Sequence, residues 1–247
     1  MRENAVCVDL GKKRDRAVFF VMKDNPRIVD GDHRFAKPDR LLHFYDVVFI
    51  DQFTRESYTS LVDSLCVLMS HKDLSQNADL LVDGRGVGEG VVDLMRDKGL
   101  YPIPLMATGG SDVHWVYEDM GNVFSSVPGK LRGARILCQI NVPKDDLVAA
   151  GLALAEQGRV GCARGLRWAE EFKRQLSHFK DIKDRKTGKH KAFAADDDEV
   201  HDDIVFTYLM GAWWFTRGGE AVSTGGDREL SGGSGQQNAD WNPIDFF

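Results

Sequence analysis

Short runs of apolar, β-branched residues recur through the first hundred or so residues of this chain, and several alternate with segments of helical spacing. Ala5 to Leu10 (AVCVDL) reads as a strand, followed by the basic turn KKRDR and a second strand from Ala17 to Met22. A polar stretch containing prolines, Asp24 to Arg40, leads into a strand at Tyr45 to Ile50. The spacing of Tyr58, Leu61, Leu65 and Leu68 predicts a helix from Thr54, its expected cap, to about Met69. A buried strand, Ala78 to Asp83, then enters the glycine-rich turn GRGVGEG. A helix carrying Val91, Val92, Leu94 and Met95 follows, stopped by Gly99, and then a strand from Tyr101 to Met106. Strands and helices alternating at this spacing require a parallel or mixed sheet covered on both faces, so the fold class is α/β.

The second half is more helical. Pro143 starts and Gly158 ends a helix with acids in its first turn, and a further helix spans about Gly165 to Leu176. KDRKTGKHK, centred on Thr187-Gly188, reads as a projecting basic hairpin, and HDDIVFTYLMGAWW from His201 opens a last helix. From Arg217 to Gly235 there are seven glycines and no apolar period, which marks a flexible linker. One domain over residues 1–216 with a tail over 217–247 is therefore expected. The terminal WNPIDFF is either a docking peptide or an unstructured end.

At 247 residues, 43% hydrophobic and 28% charged, the chain can bury a full core. Neither a secretory leader nor an apolar run long enough to span a bilayer is present in the sequence, so a cytosolic protein is expected. Cys7, Cys66, Cys138 and Cys162 are far apart with no C-x-x-C pair, and read as reduced, mostly buried thiols rather than a disulfide framework or zinc site. A net charge of −6 argues on average against nucleic acid. The charge is locally uneven: residues 180–191 hold six Lys/Arg against two Asp, and residues 196–203 hold six acids in eight. Either run alone reads more simply as a solvated surface loop.

Three sets of acids stand at the ends of elements: Asp9 after the first strand, Asp83 after the later buried strand, and Asp202-Asp203 opening the last helix. Each alone is more simply a turn or capping residue. Ligands in open α/β sheets collect outside the carboxyl ends of the strands, where Asp9 and Asp83 emerge. If the last helix starts there too, the carboxylates converge and repel unless a cation joins them. All-oxygen donors suit Mg2+ or Mn2+, and two such ions serve phosphodiester hydrolysis. Asp15 is an accessory ligand or a surface residue, and His201 orients a ligand or caps its helix. GRGVGEG does not fit a dinucleotide loop, because Glu89 stands where G-x-G-x-x-G needs glycine, and no P-loop motif occurs.

Taken together and in order, VCVDLGKKRD, LLVDGRGVGEGVVDLM, VPKDDLVAAGLALAEQGRV and HDDIVFTYLMGAWW resemble the C-terminal nuclease domain of the large terminase subunit of tailed bacteriophages, over roughly Val6 to Trp214. The resemblance implies an RNase H-like mixed sheet flanked by helices and a metal-dependent endonuclease that cuts concatemeric viral DNA during genome packaging. It implies a catalytic triad of Asp9, Asp83 and Asp203, with Asp202 as a further metal ligand, and a pair of Mg2+ or Mn2+ ions. Some relatives carry Glu where Asp83 stands. The implied partners are double-stranded DNA, a portal protein, a small terminase subunit and an ATPase motor, in the host cytoplasm. The motor is missing from this sequence, so an excised domain beginning at Met1 is expected.

In that setting Lys183, Arg185, Lys186, Lys189 and Lys191 of the hairpin are candidates for gripping the phosphate backbone, a contact that positions DNA without reading bases. Lys12, Lys13, Arg14 and Arg16 form a second patch. The alternatives are another RNase H-like nuclease, such as a junction resolvase or transposase-type enzyme, and a binding module whose acids only cap and turn.

Overall fold

The computed structural model describes residues 2–11, 16–29, 40–85, 89–119, 135–183, 190–195 and 202–218. The strands are β1 (Asn4–Asp9), β2 (Ala17–Val29), β3 (Arg40–Phe53), β4 (Ala78–Asp83), β5 (Pro102–Thr108), β6 (His114–Asp119), β7 (Arg135–Pro143), β8 (Val160–Cys162), β9 (Phe179–Lys183) and β10 (His190–Ala195). The helices are α1 (Tyr58–Met69), α2 (Glu89–Asp97), α3 (Lys144–Glu156), α4 (Ala169–His178) and α5 (Asp203–Trp213), the last continued by a π-helical turn, Trp214–Gly218.

Eight strands form one mixed sheet in the order β6-β7-β5-β4-β1-β2-β3-β8. β1 pairs in parallel with β4, and β4 with β5, while β2 runs antiparallel to both β1 and β3. A β3-β2-β1-β4-β5 centre in which β2 alone is reversed is the RNase H-like arrangement. β7 extends the sheet in parallel beyond β5, β6 closes that edge antiparallel, and β8 adds in parallel to β3.

Side chains alternate across a strand, so the sheet divides the core in two. Val6, Val8, Leu80 and Val82 face α1 and α2 together with Leu61, Leu65 and Met95. Ala5, Cys7, Leu81, Leu105 and Ile140 face α3, α4 and α5 with Leu147, Phe172, Tyr208 and Trp213.

Several expected elements differ in extent. β2 runs to Val29 and β3 begins at Arg40, so all of the polar stretch Asp24 to Arg40 that falls within the described residues is strand. Pro26 is tolerated there because beyond Lys23, its partner Asn4 being the first residue of β1, β2 pairs with β3 alone among the described residues. Helix α1 is capped by Ser57, whose hydroxyl accepts from the Ser60 N–H at 3.1 Å, and not by Thr54. The intervening Arg55, at φ 62°, breaks the helical path. Helix α4 starts at Ala169, later than Gly165. Strands β6, β7 and β8 are not anticipated from the sequence. The cysteines are free, but only Cys7 is buried and Cys162 is exposed. Among the described residues no helix is long and apolar enough to cross a membrane.

Candidate active site at the carboxyl ends of β1 and β4

Asp9 and Asp83 close two neighbouring parallel strands. The register pairs Asn4 with Ala78 and Val8 with Val82, which brings the last residues, Asp9 and Asp83, side by side on strands about 4.8 Å apart. Alternation from Cys7 and Leu81 turns both toward the face covered by α5. Each carboxylate then shapes its own turn. The Gly11 N–H donates to Asp9 Oδ1 at 2.9 Å, and the Arg85 N–H donates to Asp83 Oδ1 at 3.0 Å. Gly11 has a φ of 54°, which favours glycine, and its carbonyl accepts from Tyr58 Oη at 3.1 Å, pinning the turn to α1. Asp83 is 8% exposed.

The course of α5 carries its first residue to the same end of the sheet. At its far end, Trp214 Nε1 donates to Asp79 Oδ2 near the start of β4, and Phe215 stacks on Tyr45 with ring centroids 5.0 Å apart. Three residues before Trp214, Gly211 passes so close to β1 and β2 that an added Cβ would stand 3.2 Å from Cys7 Sγ and 3.3 Å from Met22 Sδ. The helix therefore runs opposite to β1 and β4. From Trp214 back to Asp203 it rises about 16 Å, against about 13 Å from Asp79 to Asp83 along β4. Asp203 thus reaches the level of Asp83, with Asp202 immediately before it as the helix cap.

The strand register sets Asp9 and Asp83 at adjacent ends and α5 starts with Asp203 toward that end of the sheet, but the carboxylates are not gathered into a ligand set. Among the described residues no three His, Cys, Asp or Glu side chains stand together as a metal site. The carboxylate cluster expected from sequence is therefore not present as a metal site among the described residues, although the β1–β4 pairing sets Asp9 and Asp83 at adjacent strand ends. Carboxylates without a counter-ion repel one another, and Asp9 and Asp83 each engage a backbone N–H. The donor chemistry, all carboxylate oxygen, fits a hard dication such as Mg2+ or Mn2+.

Two cations absent from the sequence-based site stand on the same rim. The Arg85 guanidinium donates through Nε and Nη2 to the Ala107 carbonyl near the end of β5. Thr108 pairs with Pro143 of β7, and Lys144 follows as the first residue of α3. Burial pushes the Lys144 ammonium below its ordinary range, Asp202 draws it back up, Arg85 lowers it again and Asp145 raises it. Lys144 thus sits within electrostatic reach of both the α5 cap and Arg85. The signal in the sequence was only that both lie inside motifs already singled out, DGRG and VPKDD.

β9 and β10 pair antiparallel as a separate two-stranded sheet, while the turn expected between them, centred on Thr187-Gly188, lies outside the described residues. Lys183 and Lys191 lie on its strands. Arg185, Lys186 and Lys189 lie outside the described residues, as do His201, Lys12, Lys13, Arg14, Asp15 and residues 219–247. Arg16 is described, and its Nη1 donates to Gln52 Oε1 at 3.1 Å at the end of β3.

No protein-family model and no curated protein matches the sequence. Among solved structures, the chain is similar to the large terminase nuclease from thermophilic phage G20c, at 18% identity over 87% of this chain and 82% of that one, with a TM-score of 0.49. The RNase H-like fold of this chain is established by its own strand order and directions.

Proposed function

We propose that this chain is a metal-dependent endonuclease that hydrolyses phosphodiester bonds of double-stranded DNA, of the terminase nuclease kind, acting in viral genome packaging. The observation that carries the reading is the β1–β4 register, which sets Asp9 beside Asp83 on the face where α5 begins with Asp202 and Asp203.

Asp9, Asp83 and Asp203, with Asp202, are the residues that would hold Mg2+ or Mn2+. Bound there, a pair of such ions supplies an activated water and stabilises the leaving oxygen. The remaining work falls to the protein. Arg85 and Lys144 meet phosphate oxygens at the rim, offsetting charge that four carboxylates would otherwise repel. Lys183, Arg185, Lys186, Lys189 and Lys191 hold the duplex backbone farther from the acids. An assembled packaging machine, with an ATPase motor, a small terminase subunit and a portal, would deliver the DNA.

The test is cleavage of supercoiled plasmid by the purified chain with Mn2+ or Mg2+, beside linear duplex and a four-way junction. Metal-dependent nicking of plasmid with little sequence preference is expected, lost in Asp83→Asn and Asp203→Asn. Selective cutting of the junction would instead assign a resolvase. Cutting unaffected by either substitution would reduce the acids to caps and turns.

A further inference from the structure

Gln175 stands on the inner face of α4, three residues after Phe172, whose ring packs 5.3 Å from that of Tyr208. Helical spacing gives that position to an apolar side chain, yet a glutamine occupies it with only 1% of its surface exposed. A buried amide is costly unless both its ends are hydrogen-bonded, and here both are. Oε1 accepts from the Ile204 N–H at 3.1 Å, and Nε2 donates to Glu171 Oε1 at 3.0 Å. Glu171 is in turn held by a bidentate pair from Arg174, Nε and Nη2 each at 2.8 Å.

The amide that Gln175 satisfies belongs to the first turn of α5, next to Asp203. Helix starts leave such N–H groups without intrahelical partners, and the usual remedy is a side chain at the cap. Asp202 occupies the cap position and makes no such hydrogen bond. The cap is supplied across space, from a different helix. That same helix runs directly into the hairpin, because Phe179 ends α4 and begins β9.

Building on the nuclease reading, we infer that Gln175 is a positioning residue: by capping Ile204 from α4 it fixes the α5 end that presents Asp202 and Asp203, and ties the acids to the helix bearing the basic hairpin. Partners of this kind orient ligand groups without touching the ion, and their loss typically weakens metal binding about 10- to 100-fold.

The experiment compares the full chain with Gln175→Met, which keeps the volume and removes both hydrogen bonds, and with Gln175→Asn, which stays polar but is too short to span Ile204 and Glu171. The readouts are amide exchange over the first turn of α5, the Mn2+ concentration giving half-maximal plasmid nicking, and the rate at saturating Mn2+. Faster exchange at Ile204 is expected, with a half-activating Mn2+ concentration raised about tenfold and a saturated rate that falls much less. Both variants folding with the wild-type Mn2+ response would overturn the inference, leaving Gln175 a packing residue. If Gln175→Met does not fold, the Mn2+ response of Gln175→Asn decides in the same way. A wild-type chain that nicks nothing with any divalent ion defeats the nuclease reading itself, and is distinguished because the failure then lies in the unsubstituted protein.

Discussion

Trp214 donates its indole N–H to the carboxylate of Asp79 at 3.0 Å, fastening the end of α5 to the start of β4. This contact lies at the opposite end of the helix from the acids and fixes the direction in which α5 presents them. Burial holds the Asp79 carboxyl above its ordinary 3.8, opposed by the Trp214 hydrogen bond and by Arg2.

A raised carboxyl value in the folded state means that the neutral form is favoured there. The stabilisation is complete below the unfolded value and is lost as pH rises through the folded one, so ionised Asp79 costs stability at neutral pH. Asp79→Asn keeps an acceptor for Trp214 and removes that cost. Thermal melts should show it above wild type at pH 7 by on the order of 2–4 °C, the response of a domain this size to about 1 kcal/mol. The difference should vanish near pH 3, whereas an Asp79→Asn chain less stable at pH 7 would contradict the assignment. Trp214→Phe should lower stability by about 1–3 kcal/mol by depriving the carboxylate of that donor.

The acids themselves should behave in the opposite way from ordinary structural residues. In metal-free buffer Asp83→Asn and Asp203→Asn should melt at or above the wild-type temperature, because each removes charge from a crowded end of the sheet. The amide oxygen introduced by Asp83→Asn would still accept from the Arg85 N–H. Added Mn2+ should stabilise only the wild type, by about 2.7 kcal/mol at a hundredfold excess over its dissociation constant. Equal stabilisation of all three proteins would place the metal elsewhere.

Arg85 and Lys144 are expected to act through phosphate. Binding of a short duplex without divalent metal, measured at several salt concentrations, should give a log–log slope that flattens by about 0.9 for each of Arg85→Gln and Lys144→Gln. Unchanged slopes in both would remove them from the DNA path.

Close packing of α3 on α5 predicts a further sensitivity. Tyr208 Oη donates to the Gly151 carbonyl at 2.7 Å, and a Cβ at Gly151 would overlap Leu209 Cδ2 and stand 3.1 Å from Tyr208 Cε1. Gly151→Ala gains about 1 kcal/mol of helix propensity but overpacks the interface at a cost of about 1–3 kcal/mol. A net loss of up to about 2 kcal/mol, seen in chemical denaturation, is expected.

Periodicity and punctuation made the central elements legible. β4 runs from Ala78 to Asp83 as its residues suggest, and Gly99 and Gly158 follow the helices they were expected to stop, at φ 83° and 63°. These are local effects, set by backbone conformation and by the alternation of apolar side chains. β6 and β8 were not legible, because their exposed and half-buried residues lack a strong apolar alternation and they exist as strands by pairing at the sheet's two edges, while β7 shows only a short alternation around Ile140 and Val142 and is held as a strand between β5 and β6.

The candidate site divides along the same line. That Asp9, Asp83 and Asp202-Asp203 each end or begin an element was written in the sequence, since element ends are marked locally. That Arg85, Lys144 and Gln175 join them was decided only by the fold: Arg85 reaches the Ala107 carbonyl across a strand pair, Lys144 arrives through the β5–β7 pairing, and Gln175 caps a helix 29 residues farther along the chain. Hydrogen bonds and charge interactions depend on distance in space, and distance in space is fixed by strand order and helix packing that no single stretch of residues encodes.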